Sequence, residues 1–339
     1  MTVRVGFYGA GFISRFHVAS LAASRVDHDI VAVHDPDGER AGAFAAEHGA
    51  VVAGEDELLD VVDAVYVCTW TSEHPRLVAK AAAAGVAVFC EKPVAVDAPT
   101  AAGMVAAVAA AGVVNQVGLV LRHLPSFRWV RRLVGDPRAG EVLAVVFRDD
   151  QYIPDQGAYG STWRTDATRS GRGTLLEHSI HDVDILQWLF GPVASVSATS
   201  RAVHGHPRID DVTVARLDFE RGPAATLTSV WHDVLERGSL RRMEVLCERL
   251  FVALEGDFTG PVRWQFTGEE ERVLAGSELA SAVAAAGDTA TVNGATAFLT
   301  AVRDGTQAHP SIADALPAHE VVDAIYASAA AGGAVVTIA

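Results

Sequence analysis

Three clusters of residues in this chain have the types and spacing that chemistry requires. The first is Gly9-Ala10-Gly11-Phe12-Ile13-Ser14, set between the apolar run Val3–Tyr8 and a stretch of helical periodicity over Ile13–Ser24. Glycines at its first two positions permit a tight turn and let backbone N–H groups approach a pyrophosphate, which a helix N-terminus then stabilises. Ser14 takes the third position, where glycine is usual, and is small enough to keep the helix close to the strand. Asp35 ends the next apolar run, Ile30–His34. A carboxylate there accepts hydrogen bonds from a ribose 2′-OH and repels a 2′-phosphate, so the expected dinucleotide is NAD, with NADP second because Arg40 lies close by.

The second cluster is Glu91-Lys92-Pro93, which follows the run Val86–Cys90. In a doubly wound sheet, chemistry collects at the carboxyl ends of strands, and a lysine there can hydrogen-bond a substrate hydroxyl and stabilise the alkoxide that forms as hydride leaves. Taken alone, such a tripeptide is more often a surface turn. The third is the run from Gly171 to Asp184, GRGTLLEHSIHDVD. On one helix over Thr174–Leu189, Glu177, His181 and Asp184 would be spaced i, i+4, i+7 and share a face. A carboxylate one turn before an imidazole can orient it or engage a neighbouring hydroxyl while the imidazole acts as base. His178, His181 and Asp184 are also a conceivable metal triad, but an i, i+3, i+6 spacing drifts around the helix. There is no HExxH and no cysteine partner, so no metal is expected.

The elements that must position these residues read as two kinds of grammar. Through about residue 122, apolar runs (Val3–Tyr8, Ile30–His34, Val62–Thr69, Val86–Cys90, Val113–Leu121) alternate with helical stretches (Ile13–Ser24, Gly38–His48, His74–Ala84, Thr100–Ala111). Strands apolar on both faces and separated by helices imply a parallel sheet covered on both sides, a doubly wound α/β Rossmann domain over residues 1–122. Beyond it, Val142–Arg148, Val193–Arg201, Val212–Phe219, Ala224–Val230, Arg242–Cys247, Leu250–Leu254 and Val262–Phe266 follow as strands. Thr213, Ala215, Leu217 and Phe219 alternate as in an antiparallel sheet with one face against helices. Residues 123–339 are therefore expected to form an α+β domain with a large, mostly antiparallel, open-faced sheet for substrate binding and oligomerisation. Helices are expected near Thr296–Arg303 and Ala318–Ala329, the last able to pack back on the first domain. The uncovered sheet face points to a homodimer or homotetramer.

Composition narrows the partners. The 339 residues carry 42 acidic and 27 Lys+Arg side chains, a net charge of −15. Such a surface repels nucleic acid and anionic membranes, and neither is expected as a partner. Cys68, Cys90 and Cys247 are odd in number and in no CxxC spacing, as reduced thiols in a cytoplasmic protein would be. The strand beginning at Val3 leaves no room for a signal peptide. The uncharged stretch Ala98–Leu121 contains Pro99, Gly103, Gly112, Asn115 and Gln116, and reads as helix then strand rather than a membrane span.

Taken in order over nearly the whole chain, the GxGxxS loop, Thr71-Ser72-Glu73-His74, Glu91-Lys92-Pro93, Gly118 with Arg122, Trp163-Arg164, the GxG…E…H..D run and the helix ending Ala-Ile-Tyr-Ala-Ser resemble the glucose–fructose oxidoreductase/inositol dehydrogenase (Gfo/Idh/MocA) family. The resemblance implies a two-domain NAD(P)-dependent dehydrogenase that oxidises a ring secondary hydroxyl of a sugar, cyclitol or amino sugar to a ketone. By match to the family's motifs, Lys92 is its catalytic lysine and His181 its catalytic histidine, while Glu177 stands where Asp is usual. Cofactor contacts are implied for Gly9, Gly11, Phe12, Ile13, Asp35, Thr69, His74, Glu91, Lys92, Trp163 and Arg164, and substrate contacts for Lys92, Arg122, Glu177 and His181. In the expected mechanism the Lys92 ammonium and the His181 imidazole converge beside the dinucleotide. Val120, where Asn is frequent, and Arg172, where Gly is common, are further departures. Asp149, Asp150, Asp155, Asp166 and Asp233 lie on segments that could border the pocket and, with the net charge, favour an aminoglycoside-like cation beside the default inositol or hexose. Two alternatives stand next to this: a glycosidase that recycles bound NAD, and a non-catalytic NAD-binding or sensing protein. The second has no need of Lys92 and His181.

Overall fold

The structure is a computed structural model and describes residues 2–157, 159–288 and 293–338. Six short segments, β1 (Val3–Tyr8), β2 (His28–His34), β3 (Val51–Val52), β4 (Ala64–Val67), β5 (Ala87–Cys90) and β6 (Asn115–Val117), pair in parallel in the order β3-β2-β1-β4-β5-β6. This is the doubly wound Rossmann order. Helices α1 (Phe12–Ala22), α2 (Gly38–His48), α3 (Glu55–Val61), α4 (His74–Ala83) and α5 (Ala98–Ala111) cross between the strands. The bounds of α2 follow from its ends. Asp37 accepts a hydrogen bond from the Arg40 N–H, and Gly49 closes the helix at φ 70°. β4 and β5 are buried along their whole length, as strands covered on both faces must be. Tyr66 of β4 stacks on Phe7 of β1 and Phe89 of β5 at ring-centroid distances of 5.1 and 4.6 Å.

The expected strand Val113–Leu121 shrinks to Asn115–Val117, and Val120–His123 forms a single 3-10 turn instead. A distant segment takes over its polar groups: the Asn115 Oδ1 accepts from the Ile312 N–H at 2.9 Å, and the Val117 N–H donates to the Pro310 carbonyl. Asn115 and Gln116, which look like breakers in the sequence, are thus connectors.

The second sheet contains β7 (Val142–Tyr152), β8 (Val193–Arg201), β9 (Val212–Phe219), β10 (Ala224–His232), β11 (Leu240–Cys247), β12 (Leu250–Leu254), β13 (Val262–Phe266), β14 (Arg272–Leu274) and β15 (Val336–Thr337). Its order is β14-β13-β12-β11-β7-β10-β9-β8-β15, with β7 and β10 parallel and every other pair antiparallel. The remaining helices are α6 (Pro125–Val134), α7 (Ala167–Ser170), α8 (Thr174–Glu177), α9 (Ile180–Phe190), α10 (Gly276–Ala285), α11 (Gly294–Asp304) and α12 (Ile312–Ala330). Phe127 and Val130 of α6, Leu175 of α8, Val183 and Leu186 of α9, and Val322 and Ile325 of α12 share one core with Val145, Phe147, Leu217, Leu227 and Val245 of the sheet. Those strand residues fall on alternate positions, so one face is covered. Val146, Val214, Leu246 and Phe251, on the other face, are about two-fifths exposed.

By packing, the chain forms two compact units: Met1–Leu119 with Thr168–Gly171 and Asn293–Leu316, and Val120–Ala167 with Arg172–Val292 and Pro317–Ala339. The single boundary at 122/123 therefore misplaces α11 and the start of α12. Phe298 of α11 packs edge-on to Tyr66, Gln116 Nε2 donates to the Gly294 carbonyl at 3.1 Å, and Ile312 and Ala315 at the start of α12 are buried with Val88 and Val117, so both segments belong with the first sheet. Among the described residues, no helix is long and apolar enough to cross a membrane.

Candidate active site

In the first unit, Gly9 turns the chain out of β1 at φ 92°, and a Cβ there would lie 2.5 Å from the Cys68 carbonyl oxygen. Only glycine fits. Gly11 then caps α1 with no side-chain acceptor, and a Cβ on it would meet nothing within 4 Å, so the helix N-terminus faces open space. Such a terminus holds an anion. Ser14 is buried and its hydroxyl donates to the Gly9 carbonyl at 2.7 Å, which braces the loop where a third glycine would only make room. Phe12 is exposed and Ile13 half-buried at the same end.

Asp35 lies at the end of β2, 8% exposed. Its Oδ2 accepts from the Ala10 N–H at 2.8 Å and its Oδ1 from the Asp37 N–H at 2.9 Å. The acid expected to read a ribose therefore also anchors the loop expected to read a pyrophosphate. The Oδ1 keeps a further acceptor direction for a sugar hydroxyl. Arg40 sits between the two acids, 3.5 Å from Asp35 and 3.1 Å from Asp37. Its charge is matched before any 2′-phosphate arrives, and the cradle fits NAD.

At the end of β5, Glu91 is buried against His17 of α1, Oε1 to Nε2 2.5 Å, and its Oε2 accepts from the Lys92 N–H at 2.9 Å. Burial alone would raise the Glu91 carboxyl, but His17 and the neighbouring Lys92 charge hold it below the usual carboxylate range. Glu91 thus sets the main chain of Lys92, whose side chain is half-buried. His74 is buried, its Nδ1 2.8 Å from the Pro93 carbonyl and its Nε2 3.2 Å from that of Thr69. Burial lowers its pKa, partly offset by these two carbonyls. Its ring ties the ends of β4 and β5 together rather than facing outward. His17 was missed because the sequence shows it only as one polar residue on a helix.

In the second unit, the continuous helix expected over Thr174–Leu189 is broken. α8 ends at Glu177, α9 begins at Ile180, and the Ser179 N–H reaches back five residues to the Thr174 carbonyl at 2.9 Å. Glu177 and His181 therefore do not share one helical face, and the i, i+4, i+7 argument fails for Glu177. No glycine or proline marks the break; its cause is tertiary. His178 Nε2 lies 3.0–3.1 Å from the two carboxylate oxygens of Asp149, and the Ser179 hydroxyl bonds both Asp149 and Ser229. His178, His181 and Asp184 do not assemble as metal ligands, since Asp184 pairs bidentately with Arg122 at 2.9 and 2.5 Å. Among the described residues no group of three or more His, Cys, Asp or Glu is arranged to hold a metal.

Glu177 is buried, and its Oε1 accepts from the Arg164 Nε at 2.6 Å. Arg164 also lies 4.8 Å above the Trp163 ring, which brings together three of the residues singled out in the sequence. His181 is 8% exposed at the start of α9. α8 itself is clamped by Asp210, which accepts from the Gly173 and Leu175 N–H groups at 2.9 and 3.1 Å and from the Tyr326 hydroxyl at 2.8 Å. Arg172, a departure from the family pattern, stacks over that same tyrosine ring at 4.7 Å.

Both units carry the marks of a known family. The sequence profile described as "Oxidoreductase family, NAD-binding Rossmann fold" matches residues 3–119, and the Gfo/Idh/MocA C-terminal domain profile matches residues 127–251. The chain belongs to the Gfo/Idh/MocA family of oxidoreductases. Within the family it is similar to an inositol 2-dehydrogenase of Rhizobium meliloti (strain 1021), 35% identical over 206 residues covering 59% of each chain. It is also similar to a scyllo-inositol 2-dehydrogenase (NAD(+)) of Bacillus subtilis (strain 168), 30% identical over 247 residues covering 68% of this chain and 70% of the other. The match thus spans about three fifths of the length of the first of these relatives. An oxidoreductase domain protein from Kribbella flavida has the same fold, with a TM-score of 0.87 over the whole of both chains at 23% identity. The first unit is the family's NAD-binding Rossmann domain.

Proposed function

We propose that the protein is an NAD-dependent dehydrogenase that oxidises a secondary ring hydroxyl of a neutral cyclitol or hexose derivative to a ketone. The observation that carries the cofactor assignment is the bond from Asp35 to the Ala10 N–H, which makes the ribose-reading acid part of the pyrophosphate loop. When bound, NAD supplies the acceptor for the hydride. The Lys92 ammonium donates a hydrogen bond to the reacting hydroxyl oxygen and stabilises its developing negative charge. His181 takes the hydroxyl proton. Glu177 accepts from an adjacent substrate hydroxyl with its orientation set by Arg164, and Arg122, fixed by Asp184, borders the ring.

The second unit supports a neutral substrate over an amino sugar. Asp149 is matched by Arg241 and His178, Asp150 by Arg237 and Arg148, Asp155 by His206, and Asp233 by His204. Four of the five acids that suggested a cation are thus already engaged by the protein's own basic groups. The two relatives described above are by name inositol dehydrogenases, in keeping with this reading. The test is a screen of NAD+ reduction across neutral cyclitols, hexoses and amino sugars in a salt series. Turnover of a neutral polyol with no preference for cations at low salt is expected, and selective turnover of amino sugars would overturn the substrate assignment.

The exposed apolar residues of the second sheet's outer face support a homodimer or homotetramer formed through that face.

A further inference from the structure

Four neighbouring strands of the second sheet place a polar residue at the same level of its helix-covered face. Arg241 of β11 stands opposite Asp149 of β7, Asp149 opposite Ser229 of β10, and Ser229 opposite Thr213 of β9. All four are buried. The inward residues two positions away on one side, Phe147, Met243, Leu227 and Ala215, are apolar, while Gln151 and Asp211 are buried on the other, so this is a polar seam along the edge of the hydrophobic core. Such a row is costly unless its groups are bonded.

Its partners on the helix side come mainly from one short stretch. Ser229 Oγ lies 2.9 Å from the Thr174 hydroxyl and 2.6 Å from that of Ser179. Asp149 takes His178 and Ser179, and Arg241 bonds Asp182 at 2.6 Å as well as Asp149 at 3.1 Å and Asp257 at 2.9 Å. Thr213 reaches the same stretch through Asp210, the acid that clamps α8.

We propose that this seam is the positioning device of the reaction: it forces the helical run to break at His178–Ser179 and so fixes Glu177 and His181 on separate helices. The inference rests on the reading that those two residues act on the substrate. Nothing in Glu177-His178-Ser179-Ile180 opposes a continuous helix, in which the Ser179 N–H would bond Leu175. It bonds Thr174 instead, a π-type widening of the kind that recurs at functional sites. The side chains of the two residues at the widening, His178 and Ser179, both end on Asp149. A straight helix would pull them off it and leave the seam's buried groups without partners.

The seam is tested with Ser179→Ala and Asp149→Asn, the second keeping the shape of the aspartate, and with Arg241→Lys as the charge-conserving variant. Two readouts are taken: steady-state kinetics with NADH affinity by fluorescence, and amide hydrogen exchange of the peptide over residues 174–184. We expect both seam variants to lower kcat by roughly tenfold to a hundredfold, as a misplacement of about 1 Å does, with NADH affinity unchanged. Exchange over 174–184 should quicken while the parallel sheet keeps its protection, and Arg241→Lys should retain most of the turnover. A kcat loss that only tracks the folded fraction, or unchanged exchange over 174–184, would overturn the proposal. His181→Gln is the separate control. Full turnover in it would sink the reading of the site, and the exchange result would then decide the seam alone.

Discussion

Arg241→Met removes the one guanidinium that Asp149, Asp182 and Asp257 share. In the intact protein Asp182 is pushed up to about 8, first by burial and then by Asp149, against the pull of Arg241. Burial raises Asp149 as well, and Arg241 pulls both acids back down. Breaking a buried pair by removing one partner costs about 3–5 kcal/mol, because the remaining charges stay buried and unmatched. For a unit of this size each kcal/mol is worth about 2–4 °C, so the melting temperature should fall by roughly 6–20 °C. The pH dependence has a definite sign. A carboxyl whose folded pKa lies above its unfolded value of about 3.9 binds more protons when folded, so stability falls as pH rises through the window between the two values. Without Arg241 that pull is lost, and Asp149 and Asp182 both rise further. The deficit should be smallest near about pH 5 and largest above about pH 8. The assay is urea unfolding of both proteins followed by circular dichroism at several pH values. A loss below about 1 kcal/mol, or one that does not change with pH, would refute the account of the cluster.

Three other outcomes follow. Gly173→Ala would place a Cβ 1.8 Å from the Asp210 carbonyl oxygen, inside the clamp of α8, and should cut turnover and cost about 2–4 kcal/mol in unfolding, comparable to losing two or three hydrogen bonds. Asp35→Ser should weaken NADH binding by about tenfold or more and narrow the preference over NADPH, since it removes both the repulsion and the bond to Ala10; equal loss for the two cofactors, read by fluorescence titration, would contradict the assignment of Asp35. Val146→Glu on the outer face of the second sheet should lower the molar mass measured by light scattering, and an unchanged mass would place any self-association elsewhere.

Much of the architecture was legible because local signals and burial agreed. α2 is found residue for residue because Asp37 and Gly49 mark its ends, and β8, β9, β12 and β13 because alternation and turn residues bound them. α3 escaped notice because its two core residues, Leu58 and Leu59, sit in an acidic stretch too short to show a period. The break after Glu177 was not legible, since its cause lies in Asp149 and Ser229, far away in sequence. A subtler signal was present. Asp149 and Arg241 occupy inward positions next to the buried apolar Phe147 and Met243, and a charge at such a position must have a buried partner.

Lys92 and His181 are proposed to act chiefly on the reacting hydroxyl of the substrate. The most direct test is steady-state turnover of Lys92→Met and His181→Gln on the best neutral polyol, with NADH affinity measured on the same samples. A fall in kcat of about 10²–10⁴-fold is expected for each variant, with NADH binding nearly unchanged. Parallel losses of turnover and NADH affinity, or full turnover in either variant, would contradict the proposal.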